Sequence, residues 1–407
     1  MRHLLALRPV PAAACAALLV ACFHNEGPRV TGPLFATTTI DSTVGAATTT
    51  SLVVDVSHHV HVLYSQDGVS RLRYATCAAS CDQGTSWQHV TVDTTANSGI
   101  GSSFVIDATG LHATYQVLNG QGDLRYAACA GSCAQAASWQ AATLDSSGDT
   151  GYAAALALDG SGRLHVTYVE LVSGGRGHLK YASCAGGCTT ATNWQVAVLD
   201  SAMFLFASTR ALAIDGNGRL HLVYQKSDSV GVAPLFYARC DSGCANAASW
   251  QRAIVDSVAL FDAVPVIALD ESGHPRAGFW DRFGSNWVAI TFATCDTQCA
   301  TANAWHLLPI QAIEQGSSDL EQHSLVLDQA GRPHMSFQHA GLSYAACNLN
   351  CTQPGSWFEV PIEASSGGAG SGSGSSVGVL PVGLFQAGIV YLSSGASQGS
   401  LKFAQSN

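Results

Sequence analysis

Short apolar runs separated by turn residues occupy most of the chain. In one representative stretch the runs cover residues 153–159, 164–169, 179–184 and 194–200, and Gly, Ser and Arg at 160–163 separate the first two. Short runs rich in apolar and β-branched residues, bounded by turn residues, are typical of β-strands. The pattern therefore predicts four consecutive strands in this stretch.

This four-strand unit recurs along the chain. Its most regular mark is an aromatic residue in the third strand, which returns every 52 to 59 residues. The marks are Tyr74, Tyr126, Tyr181, Tyr237, Phe292, Tyr344 and Phe403. Leucine-rich and helical solenoids have one strand or none in each unit, so four strands per repeat predict the blades of a β-propeller. Seven marks predict seven blades in an all-β fold.

The two ends of the repeat region supply the parts of one blade. After Ser376 the chain has sequence for three strands only, without a Cys pair or a Trp. Residues 35–42 match the missing fourth strand, as it appears at 194–201. We expect this N-terminal strand to complete the C-terminal blade, because a closed ring has no unpaired sheet edge. Residues 35–407 are thus predicted to form a single domain.

Composition supports strands and excludes one class of partner. Hydrophobic residues make up 47% of the chain and charged residues only 11%, which disfavours amphipathic helices. The formal net charge is -10, and no basic stripe is present that would neutralise a phosphate backbone. We therefore expect no nucleic-acid partner, and we expect a monomer.

The first 22 residues have the features of a secretory signal peptide. Arg2 and Arg8 precede an apolar run at 12–21, and residues 19–22 read Leu-Val-Ala-Cys. These four residues resemble the bacterial lipobox, which implies that Cys22 is acylated after cleavage. Residues 23–34 would be a tether, and the absence of Asp after Cys22 implies the outer membrane. An ordinary cleaved signal with an incidental Cys22 remains the alternative.

The cysteines outside the signal are regularly paired. Twelve of the 14 cysteines form six pairs with a separation of four residues. The pairs are Cys77 and Cys81, Cys129 and Cys133, Cys184 and Cys188, Cys240 and Cys244, Cys295 and Cys299, and Cys347 and Cys351. An even, regular set in an exported chain predicts six local disulfides.

The turn after the third strand of the first repeat carries a motif. Residues 80–87 read Ser-Cys-Asp-Gln-Gly-Thr-Ser-Trp, which resembles the Asp-box of sialidase-like β-propellers. The other repeats keep the Trp but lose the Asp and mostly the Gly. The resemblance implies that this turn is a folding element on the face away from the active site. We expect the disulfides in the same turns to replace the lost Asp-box hydrogen bonds.

The same resemblance raises the possibility of an enzyme. Sialidases hold the substrate carboxylate with three arginines and use a Tyr activated by Glu, with an Asp as the acid. Three arginines, one Asp and one Glu fall in or beside the loops opposite the disulfide turns. They are Arg176, Arg210, Arg282, Asp262 and Glu321. Neither the Tyr/Glu pair nor the early Arg motif of the family is identifiable. Fold likeness alone does not confer chemistry, so a hydrolase is the second hypothesis.

An Asp at the end of the first strand is followed by a His in the second strand of five repeats. The pairs are Asp55 and His61, Asp107 and His112, Asp159 and His165, Asp215 and His221, and Asp328 and His334. One hypothesis is a ring of metal-binding histidines. We favour a structural role, in which Asp caps the turn and meets His to hold the hairpin in register. We therefore predict neither a metal nor a cofactor.

The connections between the second and third strands, and between repeats, are irregular in sequence, and we call the end of the ring that carries them the variable face. Variable loops on a rigid scaffold are frequent recognition sites. Around blades four and five this face combines aromatic, acidic and basic side chains. The predicted ligand-binding residues are Trp280, Asp281, Arg282, Phe283, Trp287, Phe204, Phe206, Phe261 and Asp262. A hydrophobic plug that merely covers the blade is the alternative.

These observations favour a lipid-anchored binding module over an enzyme. Its ligand would be a glycan, or an envelope or extracellular protein, bound at the variable face. A glycoside hydrolase of sialidase-like type and a purely structural envelope protein are the two other hypotheses.

Overall fold

The computed structural model describes residues 34–43, 49–66, 71–172, 174, 176–228, 233–260, 263–284, 286–301, 303–314, 323–339, 341–364, 373–379, 386–394 and 399–406. The predicted signal peptide with Cys22, residues 23–33 of the tether, and the predicted ligand residues Phe261 and Asp262 lie outside the described residues. In the described part of the chain, no helix is long and apolar enough to span a membrane.

The first strand in the described part of the chain is β1 (Phe35–Asp41). Blade one consists of β2 (Thr50–Val54), β3 (Val60–Gln66), β4 (Arg71–Cys77) and β5 (Gln88–Asp93). Blade two consists of β6 (Ser98–Asp107), β7 (Gly110–Asn119), β8 (Gln121–Cys129) and β9 (Trp139–Asp145). Blade three consists of β10 (Asp149–Leu158), β11 (Leu164–Val172), β12 (Arg176–Cys184) and β13 (Gln195–Ala202).

Blade four consists of β14 (Phe204–Phe206), β15 (Leu212–Ile214), β16 (Leu220–Ser227), β17 (Leu235–Cys240) and β18 (Trp250–Asp256). Blade five consists of β19 (Val266–Leu269), β20 (Pro275–Arg282), β21 (Trp287–Thr294) and β22 (His306–Glu314). Blade six consists of β23 (Ser324–Leu327), β24 (Pro333–Gln338), β25 (Gly341–Cys347) and β26 (Trp357–Ala364). Blade seven consists of β27 (Ser373–Val379), β28 (Ala387–Ser394), β29 (Gly399–Ser406) and β1. Short 3-10 turns lie at Gly84–Ser86, Ala136–Ser138, Ala191–Asn193 and Ala247–Ser249.

The seven sheets confirm the predicted seven-bladed propeller and its closure. In each blade the strands are antiparallel neighbours, and within blades one to six they follow in chain order. In blade four, β14 and β15 both pair with β16. The N-terminal strand β1 pairs with β29, with Thr38 opposite Phe403. Strand β1 therefore covers the sheet edge that β29 would otherwise expose.

Aromatic pairs join each blade to the next. The third-strand aromatic of one blade packs against the ring that starts the fourth strand of the following blade, with ring centroids 5.0 to 6.1 Å apart. The pairs are Tyr74–Trp139, Tyr126–Trp194, Tyr181–Trp250, Tyr237–Trp305, Phe292–Trp357, Tyr344–Phe35 and Phe403–Trp87. Phe35 thus has in blade seven the position that Trp has in the other six blades.

The end of the ring opposite the variable face carries the disulfides, and we call it the disulfide face. All six predicted pairs are bridged, with Cα–Cα distances of 5.6 to 5.9 Å, so the predicted disulfides are confirmed. The bridges join Cys77 to Cys81, Cys129 to Cys133, Cys184 to Cys188, Cys240 to Cys244, Cys295 to Cys299, and Cys347 to Cys351.

A tryptophan closes each disulfide turn. The Trp that follows the bridge donates its Nε1–H to the carbonyl of the second Cys at 2.8 to 3.1 Å. The accepting residues are Cys81, Cys133, Cys188, Cys244, Cys299 and Cys351. In blade one the Asp82 side chain is exposed, and the turn is held by the bridge, the Trp87 hydrogen bond and backbone hydrogen bonds such as Gln83 N–H to Ser80 O at 2.9 Å.

In blades one, two, three, four and six, the first hairpin has the predicted Asp–His contact. In blade three, Asp159 Oδ1 accepts the backbone N–H groups of Ser161 and Arg163 at 2.8 and 2.9 Å. Its Oδ2 lies 3.3 Å from His165 Nε2, and His165 Nδ1 lies 2.7 Å from the hydroxyl of Tyr181. In the four other pairs the His lies 2.5 to 2.7 Å from the Tyr hydroxyl and 3.3 to 3.7 Å from the Asp carboxylate. The contact that the hairpin-register interpretation predicts is therefore present in all five pairs.

Candidate ligand site at the boundary between blades four and five

A β-bulge near the end of every fourth strand directs one side chain toward the next blade. The pairing of the third and fourth strands slips by one residue at the same position in all seven blades. Bulges of this kind re-aim a side chain. The residues that follow the bulge are Asp41, Asp93, Asp145, Asp200, Asp256, Gln311 and Glu363.

At five boundaries between blades the acid meets a tyrosine and a cation of the next blade. The Tyr hydroxyl donates to the carboxylate at 2.6 to 2.8 Å, and the Lys or Arg nitrogen lies 2.6 to 2.9 Å away. The clusters are Asp41/Tyr64/Arg73, Asp93/Tyr115/Arg125, Asp145/Tyr168/Lys180, Asp200/Tyr224/Lys226 and Glu363/Tyr391/Lys402. We call these the boundary clusters.

The boundary clusters keep their acids ionised. Burial raises the pKa of Asp145, but the hydrogen bonds from Lys180 and Tyr168 outweigh it and lower this pKa to about 2. The same balance lowers the pKa of Asp93 and of Glu363. A paired, hydrogen-bonded charge of this kind is a structural feature of the ring.

Blade five lacks the partners that form a boundary cluster. Phe279 stands where the five blades with a boundary cluster have the Tyr, and buried Thr291 stands where Lys180 is in blade three. Asp256 of blade four therefore has neither of the usual partners. It faces a second carboxylate instead, Asp281 near the end of β20.

Asp256 and Asp281 form a hydrogen-bonded pair of acids. Burial, followed by the charge of Asp256 and its hydrogen bond, raises the pKa of Asp281 to about 7. Asp281 Oδ1 also accepts the backbone N–H of Arg282 at 2.7 Å, and Asp256 Oδ1 accepts that of Val258 at 2.9 Å. Two carboxyl groups in contact cannot both ionise cheaply, so Asp281 keeps its proton, shared in the hydrogen bond with Asp256, up to near neutral pH.

Blade three shows what the acid pair lacks. There Lys180 lies between two acids, 2.8 Å from Asp145 Oδ2 and 3.4 Å from Glu170 Oε2. Glu170 occupies the position in β11 that Asp281 occupies in β20, two residues after the Tyr or Phe of the second strand. Two acids thus occur both at the boundary between blades two and three and at the boundary between blades four and five. Only at the first boundary does a lysine lie between the two acids.

The fully buried Trp280 is part of the core. Its side chain is 0% exposed, and its ring packs edge-on against His323 and Phe337 at centroid distances of 6.2 and 6.3 Å. Its backbone N–H donates to Ala263 O at 3.1 Å. For this residue the structure matches the plug alternative, since no ligand on the surface would contact a buried ring.

The other predicted residues of blade five lie at its variable end. Arg282 is exposed, whereas Asp281, Phe283 and Trp287 are half-buried. The backbone N–H of Phe283 donates to Trp287 O at 2.8 Å, which closes the connection between β20 and β21. Arg282 and Phe283 thus follow Asp281 directly in sequence, and Trp287 begins the next strand of the same hairpin.

The half-buried Phe204 and Phe206 lie on the other side of blade four. They form β14, which pairs with β16 and packs against β12 of blade three. The loop between β18 of blade four and β19 of blade five is held by Gln225. Its Nε2 donates to Leu260 O at 2.7 Å, and its Oε1 accepts the backbone N–H of Ala263 at 2.6 Å. Phe261 and Asp262, between these two contacts, are outside the described residues.

The three arginines considered for a sialidase-like clamp lie on three different blades. Arg176 begins β12 and is exposed, and Arg282 ends β20. Half-buried Arg210 donates to Thr50 O of blade one at 2.6 Å, so its side chain spans the middle of the ring. Burial lowers the pKa of Arg210 to about 10.

Asp256, Phe279 and Thr291 were missed in the sequence analysis. The acid after Leu or Val near the end of the fourth strand is visible in the repeat, as in Leu199-Asp200 and Val255-Asp256. The residue before the third-strand aromatic is a cation in only four blades, and blade four takes its cation from Lys226 in the second strand, so the loss at Thr291 does not stand out in the sequence. These substitutions also lie inside strands, away from the irregular loops.

Structural comparison finds the same fold in proteins of low sequence identity. A protein of unknown function from Dyadobacter fermentans is 10% identical, with a TM-score of 0.53 over 94% of this chain and 100% of that chain. Aleuria aurantia lectin, in a complex with Fucα1-6GlcNAc, is 15% identical, with a TM-score of 0.50 over 80% and 99%. Trypanosoma rangeli sialidase, in complex with the inhibitor DANA, is 11% identical, with a TM-score of 0.50 over 89% and 55%.

Neither a protein-family model nor a curated protein sequence matches the chain. The structural neighbours show the fold alone, a β-propeller that resembles that of Trypanosoma rangeli sialidase.

Proposed function

We propose that this protein is a binding module whose ligand is a glycan, bound at the variable face beside the Asp256–Asp281 pair. The observation that carries the proposal is the break in the boundary clusters, because blade five replaces a self-neutralising cluster with two acids that share a proton. Such a pair has both a donor and acceptors to offer, and a sugar hydroxyl needs both.

The residues around the pair suit a sugar. Trp287 and Phe283 have half-buried rings that can cover the apolar face of a sugar ring, and exposed Arg282 supplies directional donors. Glycan is the ligand class to test first, because Aleuria aurantia lectin uses the same fold to hold a disaccharide. An envelope or extracellular protein is the other ligand class that such a mixture of side chains fits.

A glycoside hydrolase is the second candidate function, and the raised pKa of Asp281, about 7, is the observation that favours it. A carboxyl that stays protonated near neutral pH can act as a general acid. The spacing favours binding instead. Glycosidases separate their two carboxyl groups by about 5 to 9.5 Å to admit the sugar or a water, whereas Asp256 and Asp281 are hydrogen-bonded to each other.

We also propose that the protein is held on the outer membrane by a lipid on Cys22. The lipobox-like residues 19–22 support this location. Cys22→Ser, expressed with the full signal, should move from the membrane fraction to the soluble periplasmic fraction and lose the acyl mass. A variant that stays in the membrane fraction with unchanged mobility would contradict the anchor.

A glycan array probed with the mature protein, followed by assays with fluorogenic glycosides, separates the candidate functions. Binding of a defined glycan class without turnover supports the proposal. Release of the fluorophore that is lost in Asp281→Asn would establish the hydrolase. Absence of any glycan signal, combined with capture of a defined envelope protein, would reject the glycan and point to a protein ligand or a structural role.

A further inference from the structure

The first hairpin of blade one carries histidines at two successive turn positions. In blades three, four and six the Asp is followed three and four residues later by Gly and Arg, at Gly162-Arg163, Gly218-Arg219 and Gly331-Arg332. In blade one the same positions are His58 and His59. Arg219 and Arg332 each form an ion pair with the Asp of their own turn. Blade one thus has an imidazole where two of these blades have a paired guanidinium.

This exchange places three ligand atoms together. Asp55 Oδ2 lies 3.2 Å from His59 Nδ1 and 3.3 Å from His61 Nε2, and all three atoms are within 4.8 Å of one another. In the part of the chain that the structure describes, no other group of three or more His, Cys, Asp or Glu side chains brings its ligand atoms within 4.8 Å of one another.

The distances match the requirements of a tetrahedral metal site. Zinc binds His nitrogen and carboxylate oxygen at about 2.0 to 2.2 Å, so the ligand atoms of a tetrahedral site are about 3.3 to 3.5 Å apart. The two distances from Asp55 Oδ2 are already 3.2 and 3.3 Å. Only His59, whose side chain is 41% exposed, would need to adjust.

The ligands are also oriented by contacts outside the cluster. Asp55 Oδ1 accepts the backbone N–H groups of Ser57 and His59, both at 2.8 Å, which leaves Oδ2 for the histidines. His61 Nδ1 lies 2.6 Å from the hydroxyl of Tyr74, which fixes the ring with Nε2 toward Asp55. Metal-bound histidines in proteins almost always have such a second partner.

We propose that Asp55 Oδ2, His59 Nδ1 and His61 Nε2 bind one divalent transition-metal ion, with zinc as the best fit. Two imidazoles and one carboxylate suit zinc, and its relatives cobalt and nickel, better than magnesium or calcium, which take oxygen ligands. Exposure of His59 leaves the fourth position open to water or to a donor from another molecule. The site lies on the disulfide face, so it is separate from the glycan site proposed above.

Zinc titration of the untagged mature protein, freed of metal with a chelator, tests this proposal. Elemental analysis should find one tight zinc per chain, and cobalt should give the visible absorption of a tetrahedral site. His59→Arg restores the turn residue of blades three, four and six and should therefore fold normally. It should weaken zinc binding more than about tenfold and remove the cobalt spectrum.

Two variants serve as matched controls. His58→Gly removes a histidine from the same turn but no ligand atom, and it also replaces a residue at φ 70° with the Gly that blade three has at φ 82°. His274→Arg alters blade five, where Asp270 already pairs with Arg276. Both should bind zinc as the parent does. A parent that binds no zinc, a folded His59→Arg that keeps it, or a His58→Gly that loses it would overturn the proposal.

Discussion

Asp256 of blade four is hydrogen-bonded to Asp281 of blade five, whereas the equivalent acid at five other boundaries is bonded to a tyrosine and a cation. The two acids face each other because Phe279 and Thr291 replace those partners. Five of the described boundaries thus neutralise their acid, whereas the boundary between blades four and five, at the variable face, holds an acid that keeps its proton near neutral pH.

Stability of the protein should depend on the proton of Asp281. Because the pKa of Asp281 is raised to about 7 in the fold and is about 3.9 when unfolded, the folded state binds this proton more tightly. The group's effect on stability therefore becomes less favourable as pH rises from about 4 to about 7. Asp281→Asn keeps a hydrogen bond to Asp256 and should be more stable than the parent by about 1 to 2 kcal/mol above pH 7, after allowance for solvent screening.

Urea unfolding of both proteins from pH 4 to pH 8 measures this difference. Asp200→Asn is the control, since the pKa of Asp200 is lowered by the hydrogen bonds from Lys226 and Tyr224, which outweigh burial. Its substitution should lower stability at pH 7. Parallel curves for the parent and Asp281→Asn across the whole range would show that the acid pair does not share a proton.

The buried cation of blade three should be important for folding. Lys180 and Asp145 are 8% and 7% exposed, so Lys180→Met leaves Asp145 and Glu170 without their cation and should cost about 3 kcal/mol. Lys226→Met at the next boundary is the control. Lys226 is 31% exposed and its loss should cost about 1 kcal/mol or less. Equal losses in chemical denaturation would contradict this ranking.

Trp280 and Trp287 should respond differently to replacement by Ala. The buried Trp280 fills space between blades five and six, so its loss should cost about 3 to 5 kcal/mol. Half-buried Trp287 should cost about 1 kcal/mol, and its replacement should weaken ligand binding instead. A large drop in melting temperature for Trp287→Ala with unchanged binding would place Trp287 in the plug and remove it from the site.

The closing strand should protect the edge of blade seven. Deletion of residues 35–42 removes β1, its pairing with β29 and the Phe35–Tyr344 ring contact of 5.2 Å. The shortened protein should aggregate or become sensitive to proteases, because β29 is left as an open edge. A chain that starts at Leu34 keeps these contacts and is the control. Comparable protease resistance of the two chains would argue against closure by β1.

Much of the fold could be predicted because each local sequence pattern occurs in several repeats. The third-strand aromatics such as Tyr181, the Cys pairs and the hairpin of Asp159 and His165 depend on contacts within one blade or with its neighbour. Each recurs at a nearly constant spacing. Even the closure could be predicted, since residues 35–42 match a strand that the last blade lacks.

The candidate site was predicted only in part. The aromatic and charged residues at 280–287 predicted a site that includes Asp281. Its partner Asp256 belongs to a different blade, and the bulge in β18 turns Asp256 toward β20. Burial of Trp280 also depends on His323 and Phe337, which are far from it in sequence. Contacts between strands of different blades cannot be predicted from the sequence of one loop.

The affinity of a glycan identified on the array, measured by calorimetry at pH 7 for the parent, Asp281→Asn and Asp82→Ala, tests the central claim most directly. Asp82 is exposed on the disulfide face and serves as the control. We expect Asp281→Asn to weaken binding at least about tenfold, because its amide replaces one oxygen of half-buried Asp281, an acceptor for the sugar, with an N–H donor, while Asp82→Ala binds as the parent does. Equal affinity for all three proteins would contradict a ligand site at the boundary between blades four and five.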